Sequence, residues 1–169
     1  RAAKIVHRSS FLVPFQMSGY LLAHFWLDLL EFEDAIAGGQ RRDVWRLKRR
    51  ARRSGRRAVA MARKVAWQQS ENYRLYGRCA WLAGRRRAAL RWWGRSIDVA
   101  ERLGVQPELG RTYLEIGRRL GEKPGRWTFR GMSAERCFEQ AFEILDELGL
   151  QWDLERLHEA RADLLRSRE

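Results

Sequence analysis

Residues 73–96 read YRLYGRCAWLAGRRRAALRWWGRS, and residues 113–141 read YLEIGRRLGEKPGRWTFRGMSAERCFEQA. The two stretches share one arrangement of aromatic, apolar and small residues, here called the repeat frame. It consists of aromatic-x2-apolar-Gly-x2-apolar, followed by Ala-x3-aromatic-x2-small. Its members are Tyr73, Tyr76, Gly77, Ala80, Ala89, Trp93 and Ser96 in the first stretch, and Tyr113, Ile116, Gly117, Leu120, Ala134, Phe138 and Ala141 in the second. The recurrence predicts two copies of one helix–turn–helix unit.

The repeat frame has a physical explanation in close helix packing. Gly77 and Gly117 allow one helix to approach its partner, and Ala89 and Ala134 keep the crossing narrow on the second helix. The aromatic residue four positions after each alanine is expected to fill the space between successive helix pairs. The frame therefore predicts paired helices stacked along the chain.

The repeat frame resembles the tetratricopeptide (TPR) signature, W-x2-L-G-x2-Y followed by A-x3-F-x2-A. The resemblance covers residues 70–149, with Ser96 at a position where the family has Ala. Residues 121–131 form a turn that is about five residues longer than the family's. The resemblance implies an all-α fold in which about seven helices form antiparallel pairs in a short right-handed superhelical array.

Three phrases are also similar to the helical-repeat tails of bacterial signalling proteins, among them class III nucleotide cyclases and signal-transduction ATPases. They are YGRCAWLAGRRRAALRWWGRSIDVAERLG (76–104), YLEIGRRLG (113–121) and AERCFEQAFEILDELGLQWDLERLHEARADLL (134–165). The likeness implies a non-catalytic scaffold that mediates protein–protein contact or self-assembly, including a possible homodimer. The chain begins with Arg rather than Met, which favours a piece of a longer protein.

A single helical-repeat domain is predicted for residues 1–169. It comprises divergent helices in 1–66, two repeats in 70–149 and a capping helix at 152–167. The expected helices lie at about 2–11, from Pro14 to Gly38-Gly39, and at about 41–66, 68–83, 85–103, 107–120, 132–148 and 152–167.

Cysteine usage and hydropathy favour a reduced, cytoplasmic protein. Cys79 and Cys137 belong to no CxxC or Cys/His set, so neither a disulfide nor a metal site is expected. Residues 9–27 contain no charged side chain, apart from His24 if it is protonated. Pro14 and several polar residues make this stretch a buried core helix rather than a membrane span.

Motifs of catalysis are missing from the sequence. HExxH, GxxxxGK[ST] and GxSxG do not occur, and the three histidines are scattered without a carboxylate at ligand spacing. The acidic run Glu31, Glu33 and Asp34 is interpreted as a solvated helix end. We therefore expect no enzymatic activity, no metal and no cofactor.

Charge is distributed unevenly along the chain. The net charge is +13, from 34 basic and 21 acidic residues. Residues 41–66 hold twelve basic residues and one acidic residue, while residues 132–169 hold five basic and ten acidic residues. The expected basic surface comprises Arg46, Arg49, Arg50, Arg53, Arg56 and Arg57. Three interpretations of this basic surface are open: it is a solvated face, it binds an acidic protein partner, or it binds nucleic acid or a membrane.

In TPR arrays the first helix of each pair lines a concave surface. The resemblance places on that surface Arg74, Arg78, Trp81, Arg111, Leu114, Glu115 and Arg118. Four arginines there suit a carboxylate-rich peptide, because guanidinium groups bind carboxylates bidentately. Co-chaperone TPR proteins use Lys and Asn at such positions, and this chain has no such Asn. The alternative is a groove filled by the chain's own flanking helix.

Trp127 and Phe129 lie on the long turn 121–131, outside any predicted helix. Aromatic side chains on a loop either pack back as a local plug or serve as anchors for a partner. The two residues are therefore candidate loop anchors.

Overall fold

The computed structural model describes residues 14–39, 41–122 and 125–166 of the chain. Within these residues seven α-helices form and no strand does, which confirms the all-α prediction. The helices are α1 Pro14–Ala37, α2 Arg41–Ala62, α3 Gln69–Leu82, α4 Arg86–Leu103, α5 Gln106–Gly121, α6 Ala134–Glu147 and α7 Gln151–Arg166. The helix expected at 2–11 lies outside the described residues.

Helix boundaries follow the local signals closely, with one exception. Pro107 stands in the first turn of α5, and Ser133 caps α6 by accepting a hydrogen bond from the Arg136 backbone N–H at 3.4 Å. Gly104 ends α4 in the left-handed conformation (φ 66°), which a side chain would strain. α2 ends four residues earlier than expected, and a 3-10 turn, Ala66–Gln68, connects it to α3.

The helices form two sides of the molecule. The odd-numbered helices α1, α3, α5 and α7 contact one another in succession and form one side. Each even-numbered helix packs mainly on the odd-numbered helix before it. This arrangement places the first helix of every pair next to the first helix of the neighbouring pair. The right-handed superhelix stays a prediction.

The close approach at the frame glycines is confirmed. A Cβ at Gly77 would lie 2.4 Å from Trp93 Nε1, and a Cβ at Gly117 would lie 2.8 Å from Phe138 Cδ1. Both aromatic rings are fully buried. They lie inside the helix pairs α3–α4 and α5–α6, whereas a position between successive pairs was expected.

Ser96 stands where the TPR signature has Ala, and its side chain makes buried hydrogen bonds. Its hydroxyl donates to the Ser70 carbonyl oxygen at 2.8 Å and lies 3.0 Å from Thr112 Oγ1. All three side chains are buried. The hydroxyls thus connect α3, α4 and α5 at a site where Ala would make no hydrogen bond.

α2 packs through a narrow stripe of mostly small residues. Leu47, Ala51 and Ala58 are buried against α1 and α3, and Ala62 is buried as well. Gly55 belongs to the same stripe, where a Cβ would meet the rings of Phe25 and Tyr76 at 2.7 Å. Most of the remaining circumference of α2 carries charged side chains, and Trp45 is exposed in its first turns.

Within the part of the chain that the structure describes, no helix combines the length and the hydrophobicity needed to cross a membrane.

Candidate partner-binding groove

A groove runs across the side formed by the odd-numbered helices and has a volume of about 340 Å³. It is lined by side chains of α1, α3, α5 and α7, and we call it the central groove. Six of the seven predicted groove residues line it, namely Arg74, Arg78, Arg111, Leu114, Glu115 and Arg118.

Trp81 is the exception, and its assignment to the groove is corrected here. Its side chain is buried, and its indole N–H donates to Glu122 Oε2 at 2.8 Å. The guanidinium of Arg86 stacks on its ring, 4.0 Å from the centroid. Trp81 lies in the last turn of α3, where it joins the ends of α3, α4 and α5 instead of facing a partner.

Three of the four groove arginines already have carboxylate partners within the chain. Arg74 Nε donates to Glu108 Oε2 at 3.0 Å. Arg111 binds Glu108 at 3.0 Å and Asp153 at 2.9 Å. Arg78 donates to Glu33. These contacts hold the odd-numbered helices together and leave little guanidinium capacity for a ligand.

A buried ionic cluster lies next to the groove and connects α1, α3 and α5. Arg119 donates to Glu115 at 2.8 Å, to Glu122 at 2.8 Å and to Glu33 at 2.5 Å. Burial raises the pKa of Glu115, but the charges of Arg119 and Arg78 outweigh it and lower that pKa to about 2. Glu33 therefore belongs to this cluster, which corrects its interpretation as part of a solvated helix end.

Arg118 and Arg156 are different, because neither has a carboxylate partner among the described residues. Arg118 is exposed on α5, and Arg156 projects from α7 with its guanidinium 4.7 Å from the centroid of the Trp152 ring. Burial and the charges of Arg118 and Arg78 lower the pKa of Arg156, despite the opposing charges of Glu115 and Asp153. Because both arginines line the central groove, they are its candidate residues for binding an anion.

Two exposed tryptophans line the central groove on its first and last helices. Trp26 of α1 is 48% exposed and Trp152 of α7 is 64% exposed. Sequence reasoning missed both, since Trp26 lies in the uncharged stretch 9–27 and Trp152 lies in the capping helix, outside the two repeats. A signal did exist in α7. Trp152, Arg156, Glu159 and Asp163 recur every three or four residues and form a second face beside the buried one.

The basic surface of α2 lies away from the central groove. Arg46, Arg49, Arg53, Arg56 and Arg57 are exposed, as predicted. Arg50 is half-buried, because its Nε lies 2.8 Å from Asp28 Oδ1 and its Nη2 donates to Glu31. Arg50 is thus a structural ion-pair partner of α1.

The loop aromatics form a plug, so their role as partner anchors is corrected. Phe129 is 2% exposed and pairs with Met132 through two backbone hydrogen bonds of 3.0 and 2.8 Å. Trp127 is half-buried and packs on the same core. The long turn folds back on α4–α7 because its rings would otherwise stay in water.

The remaining candidates for a reactive or metal-binding site are the two thiols and the acidic residues. Burial raises the pKa of the Cys79 and Cys137 thiols to about 12, so both are protonated at neutral pH. Among residues 14–39, 41–122 and 125–166, no group of His, Cys, Asp and Glu is arranged to hold a metal ion.

Comparisons with family models, curated proteins and solved structures find no match to this chain. The resemblance of the repeat frame to TPR proteins, and of the three quoted phrases to signalling-protein tails, therefore stays a prediction from the sequence.

Proposed function

We propose that this chain is a non-catalytic, TPR-like scaffold whose central groove binds an acidic segment of a partner protein. The observation that carries the proposal is the pair Arg118 and Arg156. Both line the groove, and neither has a carboxylate partner within the described residues. Every other groove arginine is engaged by the chain itself.

The electrostatics favour an anion at this pair. Burial and the neighbouring cations lower the pKa of Arg156, which means that its charge is held at a cost in the unliganded protein. A carboxylate between Arg118 and Arg156 would relieve that repulsion and accept charge-assisted hydrogen bonds from both. The pair would therefore favour a ligand with an acidic residue at this position.

The groove lining carries equal numbers of basic and acidic side chains, and this limits the ligands that the groove can bind. Its lining holds five arginines and five acidic residues. A long acidic tract would meet Glu71, Glu159 and Asp163 and be repelled. The groove therefore suits a segment with one acidic position, rather than the carboxylate-rich peptide that four free arginines would suit.

Apolar contacts supply the remaining affinity. Trp26 and Trp152 expose large rigid rings that bury area with little loss of side-chain entropy. Leu75 and Leu114 lie between them on the groove surface. A partner segment with an apolar residue beside its acidic residue would use both kinds of contact.

A second copy of the chain is one source of such a segment. Residues 132–169 hold ten acidic residues, and Leu148 and Leu165 are exposed within them. Self-assembly through the groove would give a concentration-dependent mass in light scattering, and the groove variants described next would abolish it.

Removal of the arginine pair should abolish recognition of the acidic residue. We expect Arg118→Gln/Arg156→Gln to bind acidic peptides about 10–100-fold more weakly, because two charge-assisted hydrogen bonds are lost. The measurement is fluorescence anisotropy on array-selected peptides of about twelve residues that contain one Asp or Glu beside Leu, Phe or Trp. Versions with Asn or Gln should bind both proteins equally.

The matched control is Arg102→Gln/Arg161→Gln, which removes the same charge from exposed positions outside the groove. It should bind the acidic peptides as the wild type does. Equal loss in both double variants, or equal binding of acidic and amide peptides to the wild type, would contradict the proposal.

A further inference from the structure

A second cavity lies on the opposite side of α3 from the central groove, between α2, α3 and α4. It has a volume of about 360 Å³ and is lined by Arg56, Arg63, Arg85, Tyr76 and Trp92, together with Val59 and Ala60. We call it the basic pocket. No acidic side chain lines it. Its three arginines are exposed and form no ion pair within the described residues.

The surroundings of the basic pocket extend this excess of positive charge. Arg52 lies one turn before Arg56 on α2, and its Nε is buried without a hydrogen-bond partner. Lys48 lies one turn before Arg52 and donates to the Ala83 carbonyl oxygen at 3.0 Å, two residues before Arg85. On α4, Arg87, Arg91 and Arg95 are exposed. Asp43, the one acidic residue of α2, accepts a hydrogen bond from the Arg46 guanidinium at 2.9 Å.

Aromatic rings accompany the charge. Trp92 forms one wall, packed edge-on against Tyr76 with ring centroids 5.0 Å apart. Arg95 lies over the ring of Trp92, 4.7 Å from its centroid. Phosphate-binding arginines next to aromatic rings are the combination by which proteins hold single-stranded nucleic acid, where bases stack and phosphates pair with cations.

An acidic protein fits this surface less well. The centre of a protein–protein interface is usually apolar and depleted in charge. Along α2 the one large apolar side chain that is exposed is Trp45, in the first turns of the helix and distant in sequence from Arg56 and Arg63. The surface between is formed by guanidinium groups and small residues.

We propose that the basic pocket binds the phosphate backbone of single-stranded nucleic acid, with one phosphate paired to each of Arg56, Arg63 and Arg85. The basic pocket is separate from the central groove, so nucleic-acid binding and the scaffold role can be tested independently of each other. Three phosphate contacts on a single strand contribute a slope of about −2 to the dependence of log affinity on log salt.

The test compares two triple variants of the full chain in binding fluorescent oligo(dT) of about 20 nucleotides, from about 0.05 to about 0.2 M salt. Arg56→Gln/Arg63→Gln/Arg85→Gln should bind about ten-fold more weakly at the lowest salt and show a slope shallower by about two. Arg102→Gln/Arg126→Gln/Arg161→Gln removes the same charge from exposed positions outside the pocket and should keep the wild-type slope. Thermal unfolding establishes that both variants fold.

Two further probes decide the class of ligand. Inorganic polyphosphate of matched charge should bind more weakly than oligo(dT), because it offers no base to the aromatic wall. Poly-glutamate should bind more weakly still. The proposal is overturned if the wild type does not bind oligo(dT), if both triple variants lose affinity equally, or if polyphosphate or poly-glutamate binds as tightly as oligo(dT).

Discussion

Replacement of Gly77 by Ala is expected to lower the free energy of unfolding by about 2–3 kcal/mol, because the new methyl group has no space. Its Cβ would lie 2.4 Å from Trp93 Nε1 and 2.5 Å from Trp93 Cδ1. Trp93 cannot move aside easily, since it is fully buried and its indole N–H donates to the Arg74 carbonyl oxygen at 3.1 Å. Urea denaturation followed by circular dichroism measures the loss.

Gly19 provides the matched control for Gly77. It also lies inside a helix, α1, but a Cβ there would meet no atom within 4 Å. Gly19→Ala should therefore stabilise the protein by up to about 1 kcal/mol through helix propensity alone. In a Trp93→Leu background the penalty of Gly77→Ala should shrink or change sign, because the ring has gone. Equal effects of Gly77→Ala and Gly19→Ala would show that the frame glycine does not serve close packing.

Arg119→Met should be the most destabilising charge substitution. We expect it to lower the free energy of unfolding by about 3–5 kcal/mol, because it leaves buried carboxylates without their cationic partner. Arg119 is 5% exposed and binds Glu33, Glu115 and Glu122, which lie on or beside α1 and α5. The measurement is again urea denaturation at neutral pH. Arg136→Met, which removes an exposed pair with Glu139, should leave stability almost unchanged. Equal small effects would mean that the buried cluster contributes no net stability.

The same cluster gives this substitution a pH signature. The folded-state pKa of Glu115 is about 2, below its ordinary value of 4.5. A lowered pKa means that the contribution is present above pH 4.5 and is lost as pH falls towards 2, by on the order of 3 kcal/mol. Because Arg119→Met removes the main cause of the shift, the variant should lose less stability over that range than the wild type.

Local signals were enough to predict the helices and most of the central groove. The repeat frame located α3 to α6. The expectation that the first helix of each pair lines the concave surface correctly placed six residues on the groove, namely Arg74, Arg78, Arg111, Leu114, Glu115 and Arg118. These features depend on spacing within one helix or one pair, which a sequence displays directly. Trp81 was misplaced because the frame does not show that its side chain, in the last turn of α3, contacts Arg86 of α4 and Glu122 just after α5.

Partners distant in the sequence were beyond such reasoning. Glu33 and Arg119 are 86 residues apart, and Arg74 and Glu108 are 34 apart, so no local pattern pairs them. Sequence analysis therefore counted four free groove arginines, whereas Arg118 alone among them lacks a carboxylate partner within the described residues. Arg156 was missed because it lies on the closing helix, outside the repeats that the TPR resemblance covers.

A charge reversal at the arginine pair tests the central claim most directly. The variant Arg118→Glu/Arg156→Glu is screened with the same peptide array, in which each Asp or Glu is also replaced by Lys. Our account predicts that the variant loses the acidic peptides and gains their lysine versions, since the neighbouring tryptophans and leucines are unchanged. A variant that loses binding of both peptide sets while remaining folded, or that keeps the acidic peptides, would contradict the assignment of this groove as the acidic-segment site.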